Sequence, residues 1–229
     1  MKISKRIKQS YDLFDRSKQY TLDDAVLLLK QMPCLKFDVS LEASFNLGVD
    51  PRHSDQMVRG AVVLPHGIGK VTRVAVITGG VKSQEAEKAG ADIVGLDDVI
   101  EEIKKGNIAF DRCIATPDAM TKLAQVGRIL GPKGLMPNPK LGTVTNDVAE
   151  AVKNAKLGQV DFKTEKKGIL HAPFGKISFD NNKIKENFLA LSSAILKLKP
   201  KAVKSNYVKS FFISATMLPS IAIVPSELQ

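Results

Sequence analysis

Between residues 36 and 49 apolar and polar positions alternate without interruption, with Phe37, Val39, Leu41, Ala43, Phe45 and Leu47 on one parity and Asp38, Ser40, Glu42, Ser44 and Asn46 on the other. Successive side chains of a strand point to opposite faces, so the pattern predicts a strand with one face in a core and one in water, as antiparallel sheets have. The same texture returns at 160–164, 169–179 and 207–216, with Lys166, Lys167 and Gly168 as a hairpin turn. Two helices punctuate these strands. Thr21 to Asp24 opens the first, which Pro33 closes; Asn182 opens the second, whose Ile184, Phe188, Leu191 and Ile195 recur at helical spacing before Pro200.

From 70 to 156 the texture changes. Residues 74–77, 92–94 and 113–115 are short apolar runs, suited to parallel strands buried on both faces. Residues 84–89, 96–105, 118–126 and 146–155 supply the crossover helices of βαβ units. The expected fold class is α+β with two domains. An antiparallel-sheet α/β sandwich is built discontinuously from both chain ends, residues 1–66 with 159–229, and a doubly wound, Rossmann-like α/β domain is inserted over 67–158. The chain crosses between them near Pro65 to Gly69 and near Leu157 and Gly158, and a paired glycine-rich crossing suggests a hinge.

Charge narrows the partners. The 229 residues carry a formal net charge of +10, and the pI is about 9.5, which favours a polyanion such as nucleic acid. The excess sits in the outer segments: 10 Lys and Arg face 8 Asp and Glu in residues 1–66, and 11 face 5 in 159–229, against 13 and 11 in the middle. Lys197, Lys199, Lys201, Lys204 and Lys209 fall in an acid-free stretch, either a solvated helix end or the rim of a binding face. On the following strand Ser210, Ser214 and Thr216 share one side. No apolar run reaches the roughly 18 residues of a membrane span, and residues 1–14 lack the apolar core of a secretory signal, so a cytoplasmic protein without membrane partners is expected. Cys34 and Cys113 lie far apart without a ligand-spaced neighbour, so two reduced thiols and no metal are expected.

The segment 127–142 joins chain-breaking glycines and prolines to Arg128, Lys133 and Lys140 with no acid, and predicts a shaped, exposed loop rather than helix or central strand. It is either a solubilising loop or a secondary RNA contact. Catalysis is not expected. Gly69-Lys70 and Gly175-Lys176 lack the earlier glycine and the following Ser or Thr of a phosphate-binding loop, and Thr78-Gly79-Gly80 lacks the dinucleotide spacing. His53, His66 and His171 belong to no recognisable nucleophile or metal constellation, so neither cofactor nor catalytic residue is assigned.

The run Ser214-Ala-Thr216-Met217-Leu218-Pro219 resembles the Thr-Met-Gly-Pro element of the ribosomal protein L-one family, the lateral-stalk protein of the large ribosomal subunit. Lys36-Phe37-Asp-x-Ser40-x-Glu42, Leu47-Gly-Val-Asp50-Pro51-Arg, Lys166-x-Gly168-Ile-Leu-His171 and Gly134-Leu-Met-Pro137-Asn-Pro139-Lys140-x-Gly142 are similar to further blocks of the family in its bacterial form, in the same order. The resemblance implies a monomer within the ribosome whose outer domain binds a junction in large-subunit rRNA and whose stalk moves as E-site tRNA leaves. It also implies repression of translation through the protein's own mRNA; a free messenger-binding regulator remains the alternative. Carried over by position, the RNA-binding residues are Lys36, Phe37, Ser40, Glu42, Thr164, Lys166, Lys167, His171, Ser210, Thr216 and Met217.

These positions differ in chemistry. Lysines meet phosphates, and hydroxyls suit sugar 2′-OH groups. Glu42 is repelled by phosphate, so it either accepts from a 2′-OH or a base amino group, or is an ordinary surface acid paired with a lysine. Alternation places Phe37 in the core, whereas the resemblance exposes it; core packing is equally the alternative for Met217. Leu218 stands where the family pattern has glycine, which puts the geometry of this edge in question.

Overall fold

The computed structural model describes residues 4–33, 36–53, 55–201, 203 and 206–225; Cys34 and Lys204 lie outside them. Packing divides the chain into two compact units, Met1–Gly69 with Val160–Gln229, and Lys70–Gln159. The first unit begins with α1 (Lys5–Asp12), α2 (Leu22–Gln31), β1 (Ser40–Leu47) and β2 (Arg59–Val63). Thr21 caps α2, its hydroxyl accepting the Asp24 N–H, and α1 is capped in the same way by Ser4.

The second unit holds β3 (Val74–Ile77), α3 (Val81–Lys88), β4 (Ile93–Gly95), α4 (Asp97–Lys104), β5 (Arg112–Ala115), α5 (Pro117–Leu123), α6 (Gly127–Leu130) and α7 (Val148–Lys156). Its three strands are parallel in the order β4-β3-β5, and every residue of β3 is buried, as a strand covered on both faces requires. Segment 127–142 corrects the expectation of a purely irregular loop. Gly127–Leu130 forms one helical turn anchored by fully buried Leu130, and Pro139–Leu141 forms a 3-10 turn. Proline is tolerated there because a first-turn N–H has no intrahelical partner to lose.

The chain then returns to the first unit with β6 (Gln159–Lys163), β7 (Ile169–Lys176), α8 (Asn181–Lys197), β8 (Val208–Ala215) and β9 (Ile221–Ile223). Their sheet has the order β7-β1-β8-β9, with β1 antiparallel to both β7 and β8. Two strands from the C-terminal part of the sequence thus flank one strand from the N-terminal part. Leu41, Ala43, Phe45 and Leu47 turn inward, and Phe45 stacks on Phe188 of α8 and on Phe211 of β8 at ring-centroid separations of 6.2 and 5.7 Å. Each of the buried leucine and phenylalanine side chains contributes about 1.5–3 kcal/mol by leaving water. The helices α2 and α8 pack on this sheet, and among the described residues the opposite parity of β1 and β8 is half-buried or exposed.

Two expectations change here. Phe37 is not in the core but 51% exposed, because pairing stops at Ser40 with Lys176 and at Leu41 with Ala215, three residues short of it. The turn at 165–168 does not close a two-stranded hairpin. β6 pairs instead with β2 in a separate sheet, and the turn's flanks are joined by the Thr164–Leu170 bridge and by the Glu165 N–H, which donates to the Ile169 carbonyl at 2.8 Å. The pattern also missed α1, β2 and β9.

Candidate nucleic-acid interface

Register decides what meets on the solvent-facing side of the sheet. Lys176 lies across from Ser40; Glu42 stands between Pro173 and Ser214, Ser44 between His171 and Phe212, and Asn46 between Ile169 and Ser210. The Lys176 ammonium donates to Ser40 Oγ at 2.9 Å and to the Asp38 carbonyl at 3.3 Å. Ser44 Oγ and His171 Nδ1 lie 2.9 Å apart. The Thr216 amide and hydroxyl both donate to the Ser40 carbonyl, at 3.0 and 3.3 Å, so the hydroxyl keeps its lone pairs for an outside donor. Glu42 is exposed and forms no ion pair among the described residues, which removes the reading of a lysine-paired surface acid.

The face therefore offers hydroxyls, one imidazole and one acceptor-only carboxylate within a net-basic unit. That inventory suits 2′-hydroxyls and base edges rather than a purely phosphate surface. Phe212 sits half-buried in its middle, next to Ser44, and the sequence reading passed over it. Its signal was present: it shares parity with Ser210 and Ser214.

Two rims border the face. At the Ser40 end lie exposed Lys36, Phe37 and Met217, the last 62% exposed and the one non-glycine at positive φ, +62°, among the described residues. Arg6 of α1, also absent from the sequence reading, donates through Nη2 to the Met217 carbonyl at 3.3 Å and holds this turn. The left-handed residue is Met217 rather than Leu218. Leu218 packs partly buried against the main core, so leucine there serves cohesion and does not force a glycine-like backbone.

At the opposite end the 165–168 turn presents Lys166 and Lys167 to solvent. Gly168 has φ +77°, and a Cβ there would sit 3.0 Å from the Val49 carbonyl oxygen, so only glycine lets the turn dock on the end of β1. Thr164 departs from the expectation: it is buried, and its hydroxyl donates to the Val58 carbonyl at 3.2 Å. It supports the turn and offers no side-chain contact. The structure thus gathers Ser40, Glu42, His171, Ser210 and Thr216 on one face, with Lys36, Phe37 and Met217 at one rim and Lys166 and Lys167 at the other.

In the second unit Arg128 on α6, Lys133 and Lys140 are all exposed along the segment 127–142. The Asn138 amide donates to Thr143 Oγ1 at 2.8 Å, the Lys140 amide donates to Asn138 Oδ1 at 2.9 Å, and Gly134 and Gly142 take positive φ. A 510 Å³ crevice opens at the carboxyl ends of β3 and β5, where doubly wound sheets bind ligands. Its lysines are engaged, Lys122 with both oxygens of Asp97 and Lys82 with Asn146, and its buried Thr78 and Thr116 hydroxyls face each other at 3.4 Å. Cys113 is buried, which pushes its thiol up to about 12, and no metal-capable cluster occurs among the described residues. No helix among the described residues is long and apolar enough to cross a membrane. Compared with known proteins, residues 28–219 match the model of the ribosomal protein L1p/L10e family.

Proposed function

Since the chain belongs to the ribosomal protein L1p/L10e family, which comprises structural RNA-binding proteins of the large ribosomal subunit, we propose that it grips a junction of large-subunit rRNA with the solvent-facing side of the β7-β1-β8-β9 sheet. The observation that carries this reading is Glu42, an exposed carboxylate of β1 that stands between Pro173 of β7 and Ser214 of β8 and forms no ion pair among the described residues, inside a net-basic unit. A surface built only for phosphate would exclude it. Here it accepts from a 2′-OH or a base amino group, while Ser40, Ser210, Thr216 and His171 read sugar and base edges. Lys36, Lys166 and Lys167 supply affinity through phosphates, and Phe37 and Met217 pack against the RNA at the rim.

Through this attachment the protein forms the mobile lateral stalk. It acts there as a monomer in the cytoplasm, and the cations Arg128, Lys133 and Lys140 make the secondary contact with RNA during release of E-site tRNA. The same face binds a similar fold in the protein's own mRNA and represses its translation. Neither a cofactor nor a catalytic group enters this function.

Filter binding to an rRNA fragment carrying the junction tests the reading. Glu42→Gln retains shape but weakens the acceptor, and is expected to lower affinity for the junction about tenfold while leaving binding to unrelated duplex RNA unchanged. Equal loss for both RNAs, or no loss at all, contradicts a specific contact at Glu42.

A further inference from the structure

Beside the Lys166 rim lies a second cleft, of about 950 Å³, between Pro51 and Met57 on one side and the 163–169 turn on the other. Pro51, Met57 and Ile169 give it an apolar lining, and Lys163, Lys166 and Lys167 stand around it, with Glu165 as its one acid. Met57 is 41% exposed, a large apolar side chain left in water. The walls are held by their own hydrogen bonds. The Asp50 amide donates to Gln56 Oε1 at 3.0 Å, the Arg52 amide to Asp50 Oδ1 at 3.0 Å, and the Thr164 amide to the Val58 carbonyl at 2.9 Å. On the turn, Glu165 N–H donates to the Ile169 carbonyl at 2.8 Å and Leu47 N–H to the Gly168 carbonyl at 3.0 Å.

We propose that this cleft receives one unpaired, unstacked base of the RNA held on the sheet face. The inference rests on the proposed function and deepens it. An apolar floor and several lysines complement a nucleotide, whose base is flat and weakly hydrated and whose phosphates are anionic. Ile169 belongs to both surfaces, since it pairs with Asn46 on the sheet face and lines the cleft, so a strand crossing that face reaches the cleft without a break. Preformed walls spare the cost of ordering a loop around the base. The turn lysines thereby gain a second role, since they fix the backbone on either side of the extruded nucleotide.

The test pairs protein and RNA changes. Full-length protein is titrated with the rRNA junction fragment and with versions carrying an abasic nucleotide at each unpaired position in turn. One position is expected to lose about tenfold in affinity when its base is removed. Met57→Ala is expected to lose a similar factor on intact RNA and nothing further on that abasic RNA, while Met57→Leu restores binding. If wild type binds the intact fragment but no abasic position couples to Met57, the cleft holds no base and the inference falls while the sheet-face reading stands. If wild type fails to discriminate the intact junction from unrelated duplex RNA, both fall together.

Discussion

Met217 carries a left-handed backbone that L side chains avoid, at a cost of about 1–2 kcal/mol. Met217→Gly is therefore expected to raise unfolding stability by about 1 kcal/mol, read from the urea midpoint, since relief of strain exceeds the entropy added to the unfolded chain. The same substitution removes an exposed rim side chain and should weaken rRNA binding, so stability and affinity move in opposite directions. Leu218→Gly behaves differently. It strips apolar contact from the core and is expected to lower stability by about 1–3 kcal/mol, whatever it does to RNA affinity. Thr216→Val should barely change stability, because the Thr216 amide still serves the Ser40 carbonyl. Its effect on rRNA affinity, about 1–3 kcal/mol if the lost hydroxyl strands a buried RNA partner, reports on the interface alone. At this scale the sequence was a partial guide. Alternation put Ser40 and Glu42 on the wet side of one strand and Ser210 and Thr216 on one side of another, but it did not show that these strands pair, and it continued past the end of β1 and misplaced Phe37, because parity records neither where pairing stops nor which turn residue takes positive φ.

Elements add contacts that no local pattern announces. On α8 the apolar positions Ile184, Phe188, Leu191 and Ile195 were legible, and Asn187 beside them looks like a polar interruption. It is fully buried and serves as a clamp: its Nδ2 donates to the Gly67 and Phe174 carbonyls at 3.0 and 2.9 Å, and its Oδ1 accepts the His66 N–H at 3.0 Å. Asn187→Leu leaves the buried Phe174 carbonyl and the partly buried Gly67 carbonyl and His66 N–H without these partners and is expected to cost about 3 kcal/mol, measured by urea denaturation. A change below about 1 kcal/mol would show that the 66–67 segment is held by other means. The partner of β6 was equally hidden, because β2 contains Gly60 and no clean alternation, while Gly60 is needed where Leu198 and Phe162 approach. Conversely the parallel strands were easy to find, since burial on both faces leaves a short, wholly apolar run.

For the whole molecule, two groups in different units link stability to alkaline pH. Burial pushes the Cys113 thiol from 9.0 up to about 12 and the Tyr207 phenol from 10.0 up to about 12, the latter donating to the Ile195 carbonyl at 3.2 Å. Both favour the neutral form in the fold, so their contribution is fully present below pH 9 and is lost as pH rises toward 12. The urea midpoint should fall between about pH 8 and pH 10.5, whereas a flat profile would mean that neither group stays dry. Salt acts on the RNA complex instead: affinity should decline with a log-log slope for about 4–8 phosphates, and Lys166→Ala should reduce it by about one. The sheets of both textures were legible because their periodicities differ, yet the order β7-β1-β8-β9 was not, since pairing across an intervening unit leaves no local trace. That order has a consequence in time. A growing chain presents β1 long before the ribosome has made β7 and β8, while residues 70–159 already contain everything their own core requires. Domains fold as they emerge, so the middle of the polypeptide matures first and its beginning waits for its end. A chain ending at residue 159 and released from the ribosome should then resist protease across the middle and be cut freely before residue 70. The face proposed to bind RNA therefore comes into existence only once residues 208–215 have been made, and a copy halted before them lacks it.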